Sequence, residues 1–153
     1  MLIDVADLPL FSQGSWYAYP SPPTGKMYAR QNRFVGGKWV ARVAHRVILG
    51  APKGMMVDHI NGDTLDNRRA NLRLCSRTQN NWNRRMDRTN RSGFKGVSWC
   101  RQTKRWKAQI SVSGHKRGLG YFEDKLDAAR AYDAAANEDH PGFALTNAGM
   151  GLL

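Results

Sequence analysis

Cysteine is nearly absent from this sequence: Cys75 and Cys100 are the only two among 153 residues. They lie far apart and form no CxxC pair, so no structural zinc site is expected, and a reducing, intracellular setting is. Long apolar runs are missing too, and none approaches the roughly 20 residues needed to span a bilayer. The opening MLIDVADLPLF carries Asp4 and Asp7 and lacks the basic start of a secretory signal. Nor is there a long basic amphipathic helix of the kind that lies on an anionic membrane. Internal repeats are absent, and there is not one acid between residues 91 and 122.

What is abundant is positive charge. The formal net charge is +12 and the sequence pI is about 10.3, an excess that points to a polyanionic partner. With a membrane surface disfavoured, nucleic acid is the expected one. The length suits one ordinary domain or two very small ones. A hydrophobic content of 41% allows folding, although neither half can hold a deep core. The charge is unevenly spread. Residues 91–122 hold Arg91, Lys95, Arg101, Lys104, Arg105, Lys107, Lys116 and Arg117, whereas residues 123–153 carry a net charge of −4. Such a succession suggests a small domain with one face turned to nucleic acid and the other turned away.

The first 50 residues read as short strands with turns, including a proline-rich turn at Pro20 to Pro23 and a Gly36-Gly37 hairpin signal. Residues 39–47 alternate loosely, with Arg42 and Arg46 on one face and Val43, His45 and Val47 on the other. A strand is expected at Met55 to Asp58, a tight turn at Asn61-Gly62-Asp63, and a second strand at Leu72 to Leu74. Ser76-Arg77-Thr78-Gln79 has the form of a capping box, opening a helix expected from about Arg77 to Met86. Residues 87–93, DRTNRSG, read as a linker. Beyond it, Phe94 to Cys100, Arg105 to Val112 and Lys116 to Phe122 read as three strands. In the middle one Trp106, Ala108, Ile110 and Val112 alternate with Lys107, Gln109, Ser111 and Ser113, the period of a sheet with one buried face. Asp124 opens a helix whose Leu126, Ala129, Tyr132 and Ala136 form an apolar stripe expected to cover that face.

Residues 55–81, MMVDHINGDTLDNRRANLRLCSRTQNN, concentrate chemistry-bearing groups. Hydrolysis of a phosphodiester needs a base near an attacking water and a cation to offset charge on the phosphate and leaving oxygen. A strand–turn–strand–helix unit would bring Asp58, His59 and Asn80 to one cleft. A carboxylate and a carboxamide oxygen are hard ligands, suited to Mg2+ or Mn2+ rather than zinc. His59 has the residue type whose ordinary pKa lies near neutrality, as a general base requires. Neighbours on an ideal strand point to opposite faces, so the strand must end or bend here if both residues serve one phosphate. A plainer reading is also open, in which Asp58, Asn61 and Asp63 build the turn while Asn71 and Asn80 satisfy backbone groups. His45 reads as structural or as a phosphate contact. His115 and His140 show no ligand spacing.

HRVILGAPKGMMVDHINGDTLDNRRANLRLCSRTQNN strongly resembles the HNH endonucleases, in particular their phage-type branch related to intron-encoded homing nucleases. The likeness runs from about Leu2 to Arg85 and includes LIDVADLPLF, the His45-Arg46 pair, DHINGD and NLR. It implies a ββα-metal fold with His59 as general base and Asp58 as metal ligand. It also puts Asn71 in the catalytic centre, holding the two-strand loop in shape, and Asn80 at the last motif position. The family's final histidine is an asparagine here, a form known in one branch with the carboxamide oxygen on the metal. Gln79 or Asn81 takes that place if the helix starts one residue differently. Cysteine pairs that bind structural zinc in other branches are absent. Arg68, Arg69, Arg77, Arg84 and Arg85 are expected to contact the DNA backbone.

Ser92 to Asn147 resembles the Apetala/ethylene-response-factor type DNA-binding domain through FKGVSW, RWKAQI, LGYF and DAARAYDAAANEDHPGFALTN. That family lays a three-stranded sheet in the major groove with the helix behind it. Carried over, the groove-facing positions are Lys95, Ser98, Cys100, Gln109, Ser111 and Lys116. Arg101, Lys104, Arg105, Lys107 and Arg117 join them as expected DNA contacts on charge. Several groove positions are arginines in the plant proteins, and a strand-three tryptophan there is Gly118 here, so the target sequence does not carry over. RNA is disfavoured because Trp106 falls on the buried face, away from any base it would stack on.

The sequence therefore predicts an α+β chain. An HNH endonuclease domain is expected over residues 1–86, with its ββα-metal core at about 45–86, a linker at 87–93, a DNA-binding domain at 94–147 and a tail at 148–153. The expected activity is hydrolysis of double-stranded DNA, by nicking, with Mg2+ or Mn2+. A monomer or weak dimer is expected, with no membrane or obligate protein partner, in the cytoplasm of a bacterial or phage-infected cell. The alternative is a sequence-specific DNA-binding regulator that does not cut.

Overall fold

Gly36 and Gly37, at φ of 55° and 79°, turn the chain tightly between two strands, because both positions need the left-handed region that glycine enters without strain. The structure is a computed structural model that describes residues 1–22, 24–87 and 89–153; Pro23 of the expected proline turn and Arg88 of the expected linker lie outside the described residues. The architecture is α+β, in two units: Met1–Asn80 and Asn81–Leu153.

In the first unit β1 (Tyr17–Ser21), β2 (Lys26–Val35) and β3 (Lys38–Val43) form an antiparallel sheet in that order. The alternation expected to run through Val47 stops at Val43, and α1 (Ala44–Ile48) follows. Ala44 and Ile48 are both buried; four residues apart, they share one helical face, and that burial overrides the loose period of two. The opening segment is likewise a 3-10 helix, Val5–Phe11, rather than a strand. Ahead of it Leu2 pairs in parallel with Asp66: Leu2 N–H donates to the Leu65 carbonyl and Asn67 N–H to the Leu2 carbonyl, each at 2.8 Å.

A two-stranded antiparallel sheet follows, β4 (Met56–His59) and β5 (Leu72–Cys75), with Asp58 opposite Arg73 and His59 opposite Leu72. The capping box then opens α2 (Arg77–Trp82). Gln79 N–H donates to Ser76 Oγ at 3.2 Å, and Ser76 N–H donates to Gln79 Oε1 at 2.9 Å. The helix ends short of the expected Met86. Beyond Trp82, Arg84 N–H turns to the Asn81 carbonyl at 3.1 Å, and the Trp82 carbonyl that a helical Met86 would need accepts instead from Leu145 N–H at 3.2 Å and Lys95 Nζ at 2.9 Å.

The second unit holds β6 (Val97–Cys100), β7 (Arg105–Val112) and β8 (His115–Phe122), antiparallel in that order. A bulge between Ala108 and Gln109 pairs Ala108 with Gly120 and Gln109 with Gly118, so β8 carries an extra residue, Leu119. The helix α3 (Lys125–Asp139) starts where Asp124 Oδ1 accepts from Leu126 N–H at 2.6 Å. Its alanines let it lie close on the sheet, where Val97, Ala108 and Ile110 meet Ala128, Ala129, Tyr132, Ala135 and Ala136. The chain end folds back onto the same helix. Buried Asp133 accepts from Asn147 N–H and Ala148 N–H at 2.8 Å each.

Gly96 is where this packing is tightest. It sits at φ 76°, and a Cβ there would lie 1.9 Å from Tyr132 Cδ2. Gly96→Ala combines a strained backbone with a ring that must move, together about 3 kcal/mol. Urea unfolding of the variant should show a loss of that order, whereas Gly118→Ala, which meets nothing within 4 Å, should cost much less.

Candidate active site

The site is built around the loop from Ile60 to Asn71, which returns β4 to β5. Gly62 N–H donates to the His59 carbonyl at 2.9 Å. Asn61 Oδ1 accepts from Asp63 N–H at 2.8 Å, and Asp63 Oδ1 accepts from Leu65 N–H at 2.9 Å. Asn71 closes the loop. Its Oδ1 accepts from Asn61 N–H at 2.9 Å and its Nδ2 donates to the Asp66 carbonyl at 2.7 Å. Both ends of the Asn71 carboxamide thus serve the loop.

β4 ends at His59, and the strand termination that two neighbouring site residues would require lies at that point. Asp58 and His59 are both buried, 6% and 5% exposed. His59 Nε2 stands 3.2 Å from Asn67 Oδ1, and Asn67 is itself fully buried. With the carboxamide oxygen at the ring, Nε2 carries the proton and Nδ1 the lone pair. Around it, the His45 ring packs edge-on at 5.1 Å and the Tyr28 ring lies 6.3 Å away. Burial lowers the His59 pKa, and the Asn67 hydrogen bond and Asp58 charge oppose that fall. Burial first, then the charge on His59, brings His45 down to about 4. Burial, with Asp58 beside it, raises Tyr28. At neutral pH two neutral imidazoles therefore stand side by side.

Asp58 meets the strand opposite: Arg73 Nε and Arg73 Nη2 donate to Asp58 Oδ2 at 2.8 and 2.7 Å. Asn80 lies in α2, half-buried, and no hydrogen bond ties its carboxamide to the described residues. Gln79 Oε1 is taken by the cap and Asn81 is exposed, which leaves Asn80 as the carboxamide on this helix best suited to a ligand role. Among the described residues no group of three or more His, Cys, Asp or Glu is arranged to hold a metal ion. Asp58 and Asn80 offer a carboxylate and a carboxamide oxygen, donors of the kind that a hard divalent cation takes.

A family model of HNH endonucleases matches residues 38–82, the stretch from β3 through α2. The chain is 38% identical over 93 residues to Protein 3.8 of Escherichia phage T7, covering 61% of this chain and 76% of that protein. Residues 38–82 are thus an HNH endonuclease domain. It is also 28% identical over 144 residues to the uncharacterized HNH endonuclease L560 of Acanthamoeba polyphaga mimivirus, across 91% of this chain and 70% of that one. No solved structure matches the chain.

In the HNH segment two of the arginines expected at DNA, Arg68 and Arg69, pair with buried acids while their side chains stay about half exposed, 53% and 52%. Arg69 clamps buried Asp7 through Nη2–Oδ1 at 2.6 Å, and its N–H donates to Asp4 Oδ2 at 2.7 Å. Arg68 grips Asp66 at 2.7 Å and holds that carboxyl down to about 2. Arg46 donates to the Met55, Ala51 and Pro52 carbonyls. Arg77 and Arg85 are exposed, and Arg84 reaches Asp87 at 3.5 Å.

In the second unit the open face of the sheet carries Ser98 opposite Lys107, Lys107 opposite Tyr121, and Ser111 opposite Lys116. Gln109 and Arg105 share that face, Arg105 bonded to exposed Glu123 at 3.2 Å. Arg101 and Lys104 sit exposed in the β6–β7 turn. Lys95, an expected groove position, and Arg117, expected at DNA on charge, have partners within this unit. Lys95 Nζ donates to the Trp82 and Leu145 carbonyls, and burial brings it down to about 8. Arg117 lies opposite Ile110, on the helix side, and binds Asp139 of α3.

Three residues of interest escaped the sequence reading. Asn67 and Tyr28 had no signal beyond residue type, since loop closure and strand pairing bring them to His59. Tyr121 was hidden by the bulge, since plain alternation from Leu119 would turn it inward, whereas the shifted register leaves Phe122 inward and Tyr121, 47% exposed, as an aromatic on the polar face.

His45 gives this site a pH signature. Its folded pKa of about 4 lies below the usual 6.5, so between these values the unfolded chain binds a proton that the native state refuses. Stability should be intact above pH 6.5 and fall by about 3 kcal/mol on acidification toward pH 4. Urea unfolding across that window should show the slope in the wild type and a flatter one in His45→Gln.

Proposed function

We propose that this protein is a divalent-metal-dependent DNA endonuclease that nicks duplex DNA, with the basic sheet of its second unit holding the duplex in the major groove. The observation that carries this reading is the buried His59 imidazole, oriented by Asn67 beside Asp58, inside the segment that matches the HNH family. Asp58 and Asn80 would hold a hard divalent cation, Mg2+ or Mn2+, which when bound supplies positive charge against the phosphate and the departing oxygen. His59 takes a proton from water at Nδ1. The water oxygen bonds to phosphorus as the bond to the 3′ oxygen breaks, and solvent protonates the leaving oxygen. The products are a 5′-phosphate and a 3′-hydroxyl. One such site per chain suits a monomer that cuts one strand.

On the second unit, Lys107, Lys116, Arg101 and Lys104 supply phosphate contacts, and Gln109 and Ser111 reach base edges. This assignment rests on the resemblance to the Apetala/ethylene-response-factor type domain and on the charge of the open face. The Asp58–Arg73 ion pair is the observation that favours the alternative, a DNA-binding regulator, since such a pair is also what a purely structural hairpin would use.

Supercoiled plasmid incubated with the protein and Mg2+ separates the two. Nicked circles should form, EDTA should abolish them, and His59→Ala should slow nicking by about 10²–10⁴-fold, the usual worth of a general base. Tight DNA binding with no cleavage of a broad genomic DNA pool, in Mg2+ or Mn2+, would assign the protein to the regulators.

A further inference from the structure

β2 outruns its neighbour. β1 pairs only with residues 26–30 of β2, whereas β3 pairs with residues 30–35. The remainder is a two-stranded ribbon closed by Gly36-Gly37. Near its tip Phe34 and Trp39 lie directly opposite each other with ring centroids 5.4 Å apart. They are 61% and 73% exposed, and Val35 and Val40 beside them are exposed as well. A contiguous apolar tip of this kind on a small soluble unit marks a contact surface.

The charge around it selects the partner. From Lys26 to Val43 the chain carries Lys26, Arg30, Arg33, Lys38 and Arg42 and no acid. A second copy of the chain would bring like charge against like. A polyanion with flat apolar interior surfaces matches both features, and duplex DNA is one.

We propose that this ribbon is a second DNA-contacting element: its tip enters the minor groove, the Phe34–Trp39 pair wedges against a base step, and Arg33 and Lys38 hold the flanking phosphates. Apolar side chains inserted in this way partly unstack and kink the duplex. The inference rests on the reading of the protein as one that acts on duplex DNA, and adds to it a site that distorts the DNA.

The test needs no knowledge of the target site. Closed circular plasmid is relaxed by a metal-independent topoisomerase in EDTA, with the full-length protein bound, and its linking number is read after deproteinisation. Wild type should shift the linking number. Phe34→Ala/Trp39→Ala should abolish the shift and weaken duplex binding by about tenfold, with an unchanged salt dependence. Phe34→Leu/Trp39→Leu, which keeps an apolar wedge, should retain part of the shift. Arg33→Gln/Lys38→Gln should instead lower the slope of log affinity against log salt by about 2. A linking-number shift that survives both aromatic replacements overturns the inference. So does a wild type that binds duplex without changing its linking number, or an aromatic pair needed for self-association or for binding anionic phosphatidylserine vesicles. Wild-type protein that does not bind duplex DNA at all would instead remove the underlying reading.

Discussion

The hydrogen bonds inside the loop between β4 and β5 decide where His59 can stand, and the candidate site depends on them. The first unit buries few apolar side chains: Ala29, Ala44, Ile48, Leu72 and Cys75. Its buried polar set is larger, including Asp7, Gln31, Asp58, His59, Thr64, Asp66, Asn67 and Asn71. Each hydrogen bond contributes only about 1 kcal/mol net, but removal of one partner leaves the other buried and unsatisfied. The loop is therefore over-determined. Asn71 closes it, Asp66 receives Asn61 Nδ2 at 3.0 Å and Arg68, and Thr64 Oγ1 donates to the Met27 carbonyl of β2 at 2.5 Å. The opening residues join the same lattice through Leu2, Asp4 and Asp7, which explains why LIDVADLPLF belongs with DHINGD although some 50 residues separate them.

Local order was legible in the sequence; distant pairing was not. The alternation of β7, the capping boxes and caps of α2 and α3, and the Gly36-Gly37 turn are each decided by neighbours a few residues apart. α1 was misread because Ala44 and Ile48 signal a helix only once their burial is known. α2 fails to reach Met86 because the Trp82 carbonyl that Met86 N–H would need is taken by Leu145 and Lys95 from far along the chain. Asp58 and His59 stood out by residue type and motif, but Asn67, which orients the imidazole, lies in a run of polar residues with nothing local to distinguish it. The partners of Arg68 and Arg69 were equally hidden. Their charge pointed to DNA, and the fold adds ion pairs to buried Asp66 and Asp7 while leaving both side chains about half exposed.

The same distinction orders the electrostatics. Basic groups bound within the fold act as cross-links, and those that face solvent set the field that a polyanion meets. In the second unit Lys95 is held by the Trp82 and Leu145 carbonyls and Arg117 by Asp139, whereas Lys107, Lys116, Arg101 and Lys104 lie on the open face or its turn. The β2–β3 ribbon has only the second kind at its tip, beside two exposed rings.

The central claim is that the loop holds His59 as a neutral imidazole with the proton on Nε2 and the basic lone pair on Nδ1. Long-range 15N NMR of the histidine side chains near neutral pH reads this directly. The account predicts the Nε2–H tautomer for His59, with the bias lost in Asn67→Ala. A His59 ring protonated on Nδ1, or on both nitrogens, would contradict it.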